Sequence, residues 1–139
     1  MEGDQKNYLK NKRYALVDTS VLMLYANGVD VISQLEEMGL KCLVLDKVIK
    51  ELEKLALEGG KRGKAAKLAL SIASKRCKVL EYNGVNKHTD DAIIEVALKY
   101  ALPVVTADMG LRKRLLRKVP TIYYRESQNR LMSEDYFDL

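Results

Sequence analysis

The sequence predicts an α/β protein, a three-layer α/β/α sandwich around a central parallel sheet, and two observations carry that expectation. Short apolar runs alternate along the chain with longer stretches whose apolar residues recur at helical spacing. Carboxylates also stand just past the predicted strands or early in the helices that follow, places that converge on one sheet edge when strands run parallel. A length of 139 residues suits one hydrophobic core without staples. One domain over 1–139 is therefore expected, with 1–12 as a flexible or peripheral N-terminal segment.

Arg13 to Asp18 (RYALVD) reads as a buried strand entering a helix at Thr19 and Ser20. A second helix is expected from Val29 to Met38, ended by Gly39, and Lys41 to Asp46 (KCLVLD) as the next strand. Val48, Ile49, Leu52, Leu55 and Ala56 then recur at helical spacing, and Glu51 falls at the border of that apolar face, where its carboxylate can reach the sheet edge. Gly59-Gly60 separates this helix from one over Lys61 to Arg76, followed by a strand from Lys78 to Tyr82 and a turn at Asn83-Gly84. Thr89 reads as the N-cap of a helix from Asp90 to Tyr100, leading into a strand at Pro103 to Thr106. Asp108 begins a short basic helix, and Thr121 to Tyr124 is expected as the final strand, leaving the tail from Arg125 unassigned.

Lys and Arg number 24 against 19 Asp and Glu, a formal +5, although the acidic residues gather at one predicted edge. The basic residues therefore lie elsewhere, which fits a polyanionic partner. Cys42 and Cys77 lack C-x-x-C spacing and read as two small, reduced core residues, from which an intracellular, cytoplasmic location is expected. Met1 to Arg13 is polar and lysine-rich, and the longest apolar run, Val21 to Ala26, is too short to span a bilayer, so a soluble protein is expected.

The acidic set is Asp18, Glu51, Asp90, Asp91 and Asp108. Each member has a plain structural explanation: Asp18 and Asp108 as helix N-caps, Asp90 and Asp91 as complements to a helix dipole, Glu51 as the partner of a lysine one turn away. Their joint placement is the stronger observation, because such a cluster repels itself unless something cationic fills it. Hard oxygen ligands suit Mg²⁺ or Mn²⁺, and those ions suit phosphoryl chemistry. Glu95, one turn beyond Asp91, is expected to support the site, and Ser20 and Thr106 to orient neighbouring carboxylates, unless their hydroxyls bond local backbone instead.

The phrases VDTSVL at Val17 to Leu22, VIKELEKL at Val48 to Leu55, TDDAII at Thr89 to Ile94 and TADMGLRKRL at Thr106 to Leu115 resemble, in order and spacing, the motifs of PIN-domain ribonucleases. With the basic stretch RKRLLRKVPTIYY they are most similar to the small-subunit processome branch that cuts precursor ribosomal RNA, and the resemblance implies an archaeal member. Carried over, it implies metal-holding or water-positioning acids at Asp18, Glu51, Asp91 and Asp108, with Asp91 the principal acid of its pair and Asp90 contributing to a second metal. The reaction implied is hydrolysis of RNA with one or two Mg²⁺ or Mn²⁺ ions, leaving 5′-phosphate and 3′-hydroxyl ends. The N-terminal extension of eukaryotic members has no counterpart in these residues.

A metal-free ribonuclease that passes protons between two histidines needs a second histidine, and the chain has only His88, read as a solvated or capping residue. GGKRGK at Gly59 to Lys64 is one residue short of a phosphate loop, has Ala65 where Ser or Thr is required, and follows no strand. For RNA, one basic stripe is Lys61, Lys64, Lys67 and Lys75, opposite Ala65, Ala69 and Ile72, and a second cluster is Arg112, Lys113, Arg114, Arg117 and Lys118. Tyr123 and Tyr124, among eight tyrosines, offer faces for unpaired bases. The leading expectation is an endoribonuclease of ribosomal RNA maturation, with homodimers common among related domains. The alternatives are a toxin-type nuclease with an antitoxin partner, a catalytically silent RNA-binding assembly module, and a metal or nucleotide binder that cleaves nothing.

Overall fold

The described residues of the computed structural model are Leu9 and 13–133. Strand β1 (Tyr14–Val17) is buried along its whole length, as its unbroken apolar run requires of a strand covered on both faces. It lies inside a six-stranded sheet with β2 (Lys41–Leu45), β3 (Lys78–Leu80), β4 (Val104–Thr106), β5 (Thr121–Arg125) and β6 (Arg130–Ser133), in the order β3-β2-β1-β4-β5-β6. The first five strands are mutually parallel and β6 is antiparallel to β5. The strand order reverses between β1 and β4, which opens a crevice beyond their C-terminal ends.

The helices are α1 (Thr19–Leu22), α2 (Val31–Glu37), α3 (Asp46–Leu57), α4 (Gly60–Arg76), α5 (Thr89–Tyr100) and α6 (Met109–Leu115), with a 3₁₀ turn at Met23–Asn27. They flank the sheet in the α/β arrangement expected from the sequence. Apolar positions explain their seating: Val48 and Leu52 of α3, and Ala92, Ile93 and Ala97 of α5, are fully buried in the core. Gly59 and Gly60, both at positive φ, turn the chain between α3 and α4. Gly63 then lets α4 lie close on α3, since a Cβ there would meet the Ala56 carbonyl oxygen at 3.3 Å and that of Leu55 at 3.4 Å.

Three expectations change. The sheet does not end at β5: Asn129, at φ 53°, reverses the chain so that β6 adds an antiparallel edge, with the Leu131 amide held by the Gln34 side chain. Cys42 and Cys77 are not reduced residues but a disulfide, because the parallel register that sets Leu43 against Lys78 brings the residues just before them together, Cα to Cα 4.7 Å. The cysteines therefore give no support to an intracellular location. Residues 1–8 and 10–12 of the expected peripheral segment lie outside the described residues, while Leu9 is buried in the core cluster. Among the described residues no helix is long and apolar enough to cross a membrane.

Candidate active site

Asp18 leaves β1 and Asp108 follows β4, so the crevice between these neighbouring strands receives both carboxylates. Their backbones are joined there, the Asp18 amide donating to the Val105 carbonyl at 3.1 Å. Glu51 arrives from the second turn of α3, and Asp90 and Asp91 from the first turn of α5. All five carboxylates line one cleft of about 700 Å³, together with Arg62 and Arg114.

Asp18 is 5% exposed and is the most constrained of the set. Its carboxylate accepts from Ser20 Oγ at 2.7 Å, from Thr106 Oγ1 at 2.6 Å and from the Val21 amide at 3.2 Å. Each hydroxyl in turn accepts a backbone N–H from the segment after β4, Ser20 from Ala107 at 2.9 Å and Thr106 from Asp108 at 2.9 Å. One proton per hydroxyl suffices for this pattern when Asp18 is ionised. Asp18 thus braces the segment that carries Asp108. Burial pushes its carboxyl up to about 6 despite the hydrogen bonds from Thr106, Ser20 and Val21 that favour the charged form.

Asp108 caps α6, its Oδ1 accepting from the Gly110 amide at 2.7 Å and the Leu111 amide at 3.3 Å. Among the described residues Glu51 does not pair with a lysine. Its carboxylate accepts from Thr19 Oγ1 and, at 3.5 Å, from Thr89 Oγ1, which ties α3 to the starts of α1 and α5. Asp91 is held by Arg114, Nη2 to Oδ1 2.6 Å. The Asp90 carboxyl is raised by partial burial first and then by the charge of Asp108, with Arg114 opposing.

The other expected residues divide. Glu95 does not line the cleft; the loop before α5 folds back and supplies its carboxylate with two donors, Tyr82 Oη and Asn86 Nδ2, each at 2.7 Å. Thr89 is not the cap of α5 but its first residue; His88 occupies the cap position without a side-chain capping bond and lines the cleft. Lys61, Lys64, Lys67 and Lys75 are exposed on the side of α4 away from the buried Gly63, Ala66, Ala69 and Ala73, and none lines the acid cleft. Arg62 reaches it instead. Of the second cluster Arg114 enters the cleft, Lys113 is exposed, and the Arg112 guanidinium lies 3.5 Å from the centre of the Tyr123 ring, covering one face intended for a base.

No three His, Cys, Asp or Glu side chains among the described residues stand together in a group able to hold a metal ion as they are. The donor chemistry nevertheless fits a hard divalent cation. Five carboxylates share one cleft, and two of them, Asp18 and Asp90, are raised by burial and by like charge, a strain that a bound cation offsets. What the cleft lacks is convergence, since Arg114, Thr19 and the two hydroxyls beside Asp18 hold carboxylates that a metal would claim.

Comparison with known proteins agrees with this fold. Residues 15–127 match the family described as "PIN like domain". The chain is 39% identical over 132 residues to "Ribonuclease VapC9" of Archaeoglobus fulgidus, covering 92% of this chain and 94% of that protein. The fold is similar to that of the PIN domain endonuclease Utp24, with TM-score 0.72, 22% identity, and 91% of this chain and 94% of the other covered. It is also similar to VapBC2 from Rickettsia felis bound to a promoter DNA fragment, with TM-score 0.58, 12% identity and coverage of 79% and 98%. A domain of a functionally unknown protein from Methanocaldococcus jannaschii gives TM-score 0.58 at 20% identity, with 91% and 97% covered. At those identities the solved structures speak for the fold alone. The family match and the close relative show that this chain belongs to the PIN-like domain family.

Proposed function

We propose that the protein is a divalent-metal-dependent endoribonuclease that hydrolyses RNA phosphodiesters, in the cytoplasm, during maturation of ribosomal RNA. The observation that carries this reading is the gathering of Asp18, Glu51, Asp90, Asp91 and Asp108 at the point where the strand order reverses. Identity to a protein named a ribonuclease supports RNA as the substrate. The cytoplasmic location follows from that substrate and not from the cysteines.

Asp18, Asp91 and Asp108, with Glu51, are the residues that would hold Mg²⁺ or Mn²⁺, Asp90 serving a second ion. When bound, such an ion supplies Lewis-acid charge that acidifies water and stabilises the departing 3′ oxygen. The chain's own part is positional. Ser20 and Thr106 aim Asp18, the α6 cap fixes Asp108, and Thr19 with Thr89 sets Glu51. Arg62 and Arg114 at the cleft offset the repulsion between these carboxylates and an incoming phosphate.

A second reading is a toxin-type ribonuclease silenced by an antitoxin, favoured by the 39% identity to Ribonuclease VapC9. One experiment addresses both. Purified protein is incubated with single-stranded RNA and precursor ribosomal RNA in Mn²⁺, Mg²⁺ or chelator, beside an Asp18→Asn/Asp91→Asn double variant. Metal-dependent cutting that the variant lacks is expected, with defined sites in the precursor favouring maturation and indiscriminate cutting favouring the toxin. Salt-sensitive binding without cutting in any metal would replace the nuclease with an assembly module.

A further inference from the structure

The acid cleft repels the substrate it is proposed to cut, so affinity for RNA must come from cations beside it. A second groove, of about 590 Å³, shares Glu51 and Thr89 with the acid cleft and is lined by Lys47, Lys50 and Lys54. These lysines sit at i, i+3 and i+7 along α3, one side of the helix, and span about 10 Å. None of the three forms a salt bridge among the described residues, whereas Arg76, Arg114 and Arg130 are all paired. The Lys47 ammonium rests 5.7 Å from the centre of the Tyr82 ring, which steadies it without neutralising it. Glu51, where the groove meets the acid cleft, and Glu53 also line it, and the three lysines outnumber the two carboxylates.

We propose that this groove is the track by which single-stranded RNA reaches the acid cleft, Lys47, Lys50 and Lys54 contacting successive phosphates on one side of the scissile bond. The inference rests on the ribonuclease reading and names its substrate-binding surface. Apolar side chains select a single strand: Leu55 and Met23 line the acid cleft, and Leu57, 88% exposed, lines the groove, contacts useful only to bases free of a partner strand. The outward stripe Lys61, Lys64 and Lys67 lines neither cavity.

The test is fluorescence anisotropy of a labelled 20-nucleotide oligouridine in chelator, across a salt series. The Lys47→Gln/Lys50→Gln/Lys54→Gln variant is expected to lose at least about tenfold in affinity at low salt and to flatten the salt slope by roughly 2, about 0.7 per phosphate contact. The exposed Lys54→Gln alone should flatten it by about 0.7, with Lys61→Gln/Lys64→Gln/Lys67→Gln close to wild type. A thermal unfolding midpoint guards against misfolding. A triple variant with the wild-type slope, or a slope lost through the α4 lysines instead, overturns the track while Mn²⁺-dependent cutting by the wild type leaves the nuclease reading standing. A wild type that neither binds nor cuts overturns both. Polyglutamate binding lost in the triple variant with oligouridine binding retained would assign the groove to an acidic protein and overturn the RNA track.

Discussion

Arg114 places Nη2 2.6 Å from Oδ1 of Asp91, and both residues line the acid cleft. A cation supplied by the chain thus stands on a carboxylate proposed to hold a metal, and metal entry must part the two. Both side chains are a third to a half exposed, so the pair is worth no more than about 1 kcal/mol. Arg114→Gln should therefore tighten Mn²⁺ binding by about two- to fivefold by titration calorimetry. Unchanged affinity would mean that the guanidinium leaves without cost.

Asp18→Asn and Asp91→Asn should each lower RNA cleavage by more than about 100-fold, the upper range for losing a group that merely supports a metal ligand. RNA binding in chelator should be retained or tightened, because a negative charge has left the cleft. Parallel cleavage and anisotropy assays separate the two effects, and loss of binding would contradict the assigned roles.

Thr106 is fully buried and its single hydroxyl serves both Asp18 and the Asp108 amide. Thr106→Val keeps the shape but leaves a buried acceptor and a donor unmet, a cost of about 1–3 kcal/mol in urea unfolding. Mn²⁺ affinity should fall about 10–100-fold with it, since the brace on both carboxylates is gone.

Away from the cleft, Asp30 caps α2 through Ser33 and accepts from Tyr25 Oη and Arg76 Nη1. Burial alone would raise its carboxyl, but the bonds from Tyr25 and Ser33 and the charge of Arg76 outweigh that and hold it at about 2 against an ordinary 3.8. A value lowered on folding gives stability that is complete above the ordinary value and lost as pH falls toward the folded one. Asn caps nearly as well as Asp, so Asp30→Asn isolates the charge. Discounted for solvent screening, the variant should be less stable by about 1 kcal/mol at pH 6, the difference closing between roughly pH 4 and 2. Urea unfolding at several pH values measures it.

The Cys42–Cys77 bond closes a loop across a sequence separation of 35. Reduction, or a double alanine variant, should lower unfolding free energy by about 2–4 kcal/mol. Urea unfolding with and without reductant tests this, and coincident curves would show that the bond contributes nothing.

Strands and helices were legible where apolar periodicity is strong, as in β1 and α3, and carboxylates placed after strands were legible because topology alone carries them to one edge. What escaped depends on register and on folded-back loops. Arg130–Ser133 is four residues with one buried side chain, and its strand character comes from pairing with β5. The cysteines are 35 residues apart in sequence and neighbours only through the β2–β3 pairing. Glu95 has the right helical spacing from Asp91, but the Tyr82–Asn86 loop claims it. Arg62 hid inside the glycine-rich phrase GGKRGK, and Lys47, Lys50 and Lys54 share the helix of Glu51 at a spacing that could have singled them out.

Gly63 sits beside Arg62 in the first turns of α4, where that helix packs on α3, which carries Glu51. Alanine would be the better helix former there by about 1 kcal/mol, and only the carbonyls of Ala56 and Leu55 stand in its way. A larger group would press on those carbonyls and, where they do not give, part the two helices and shift the guanidinium that lines the acid cleft. The aperture of the acid cleft is therefore gauged by a missing methyl group.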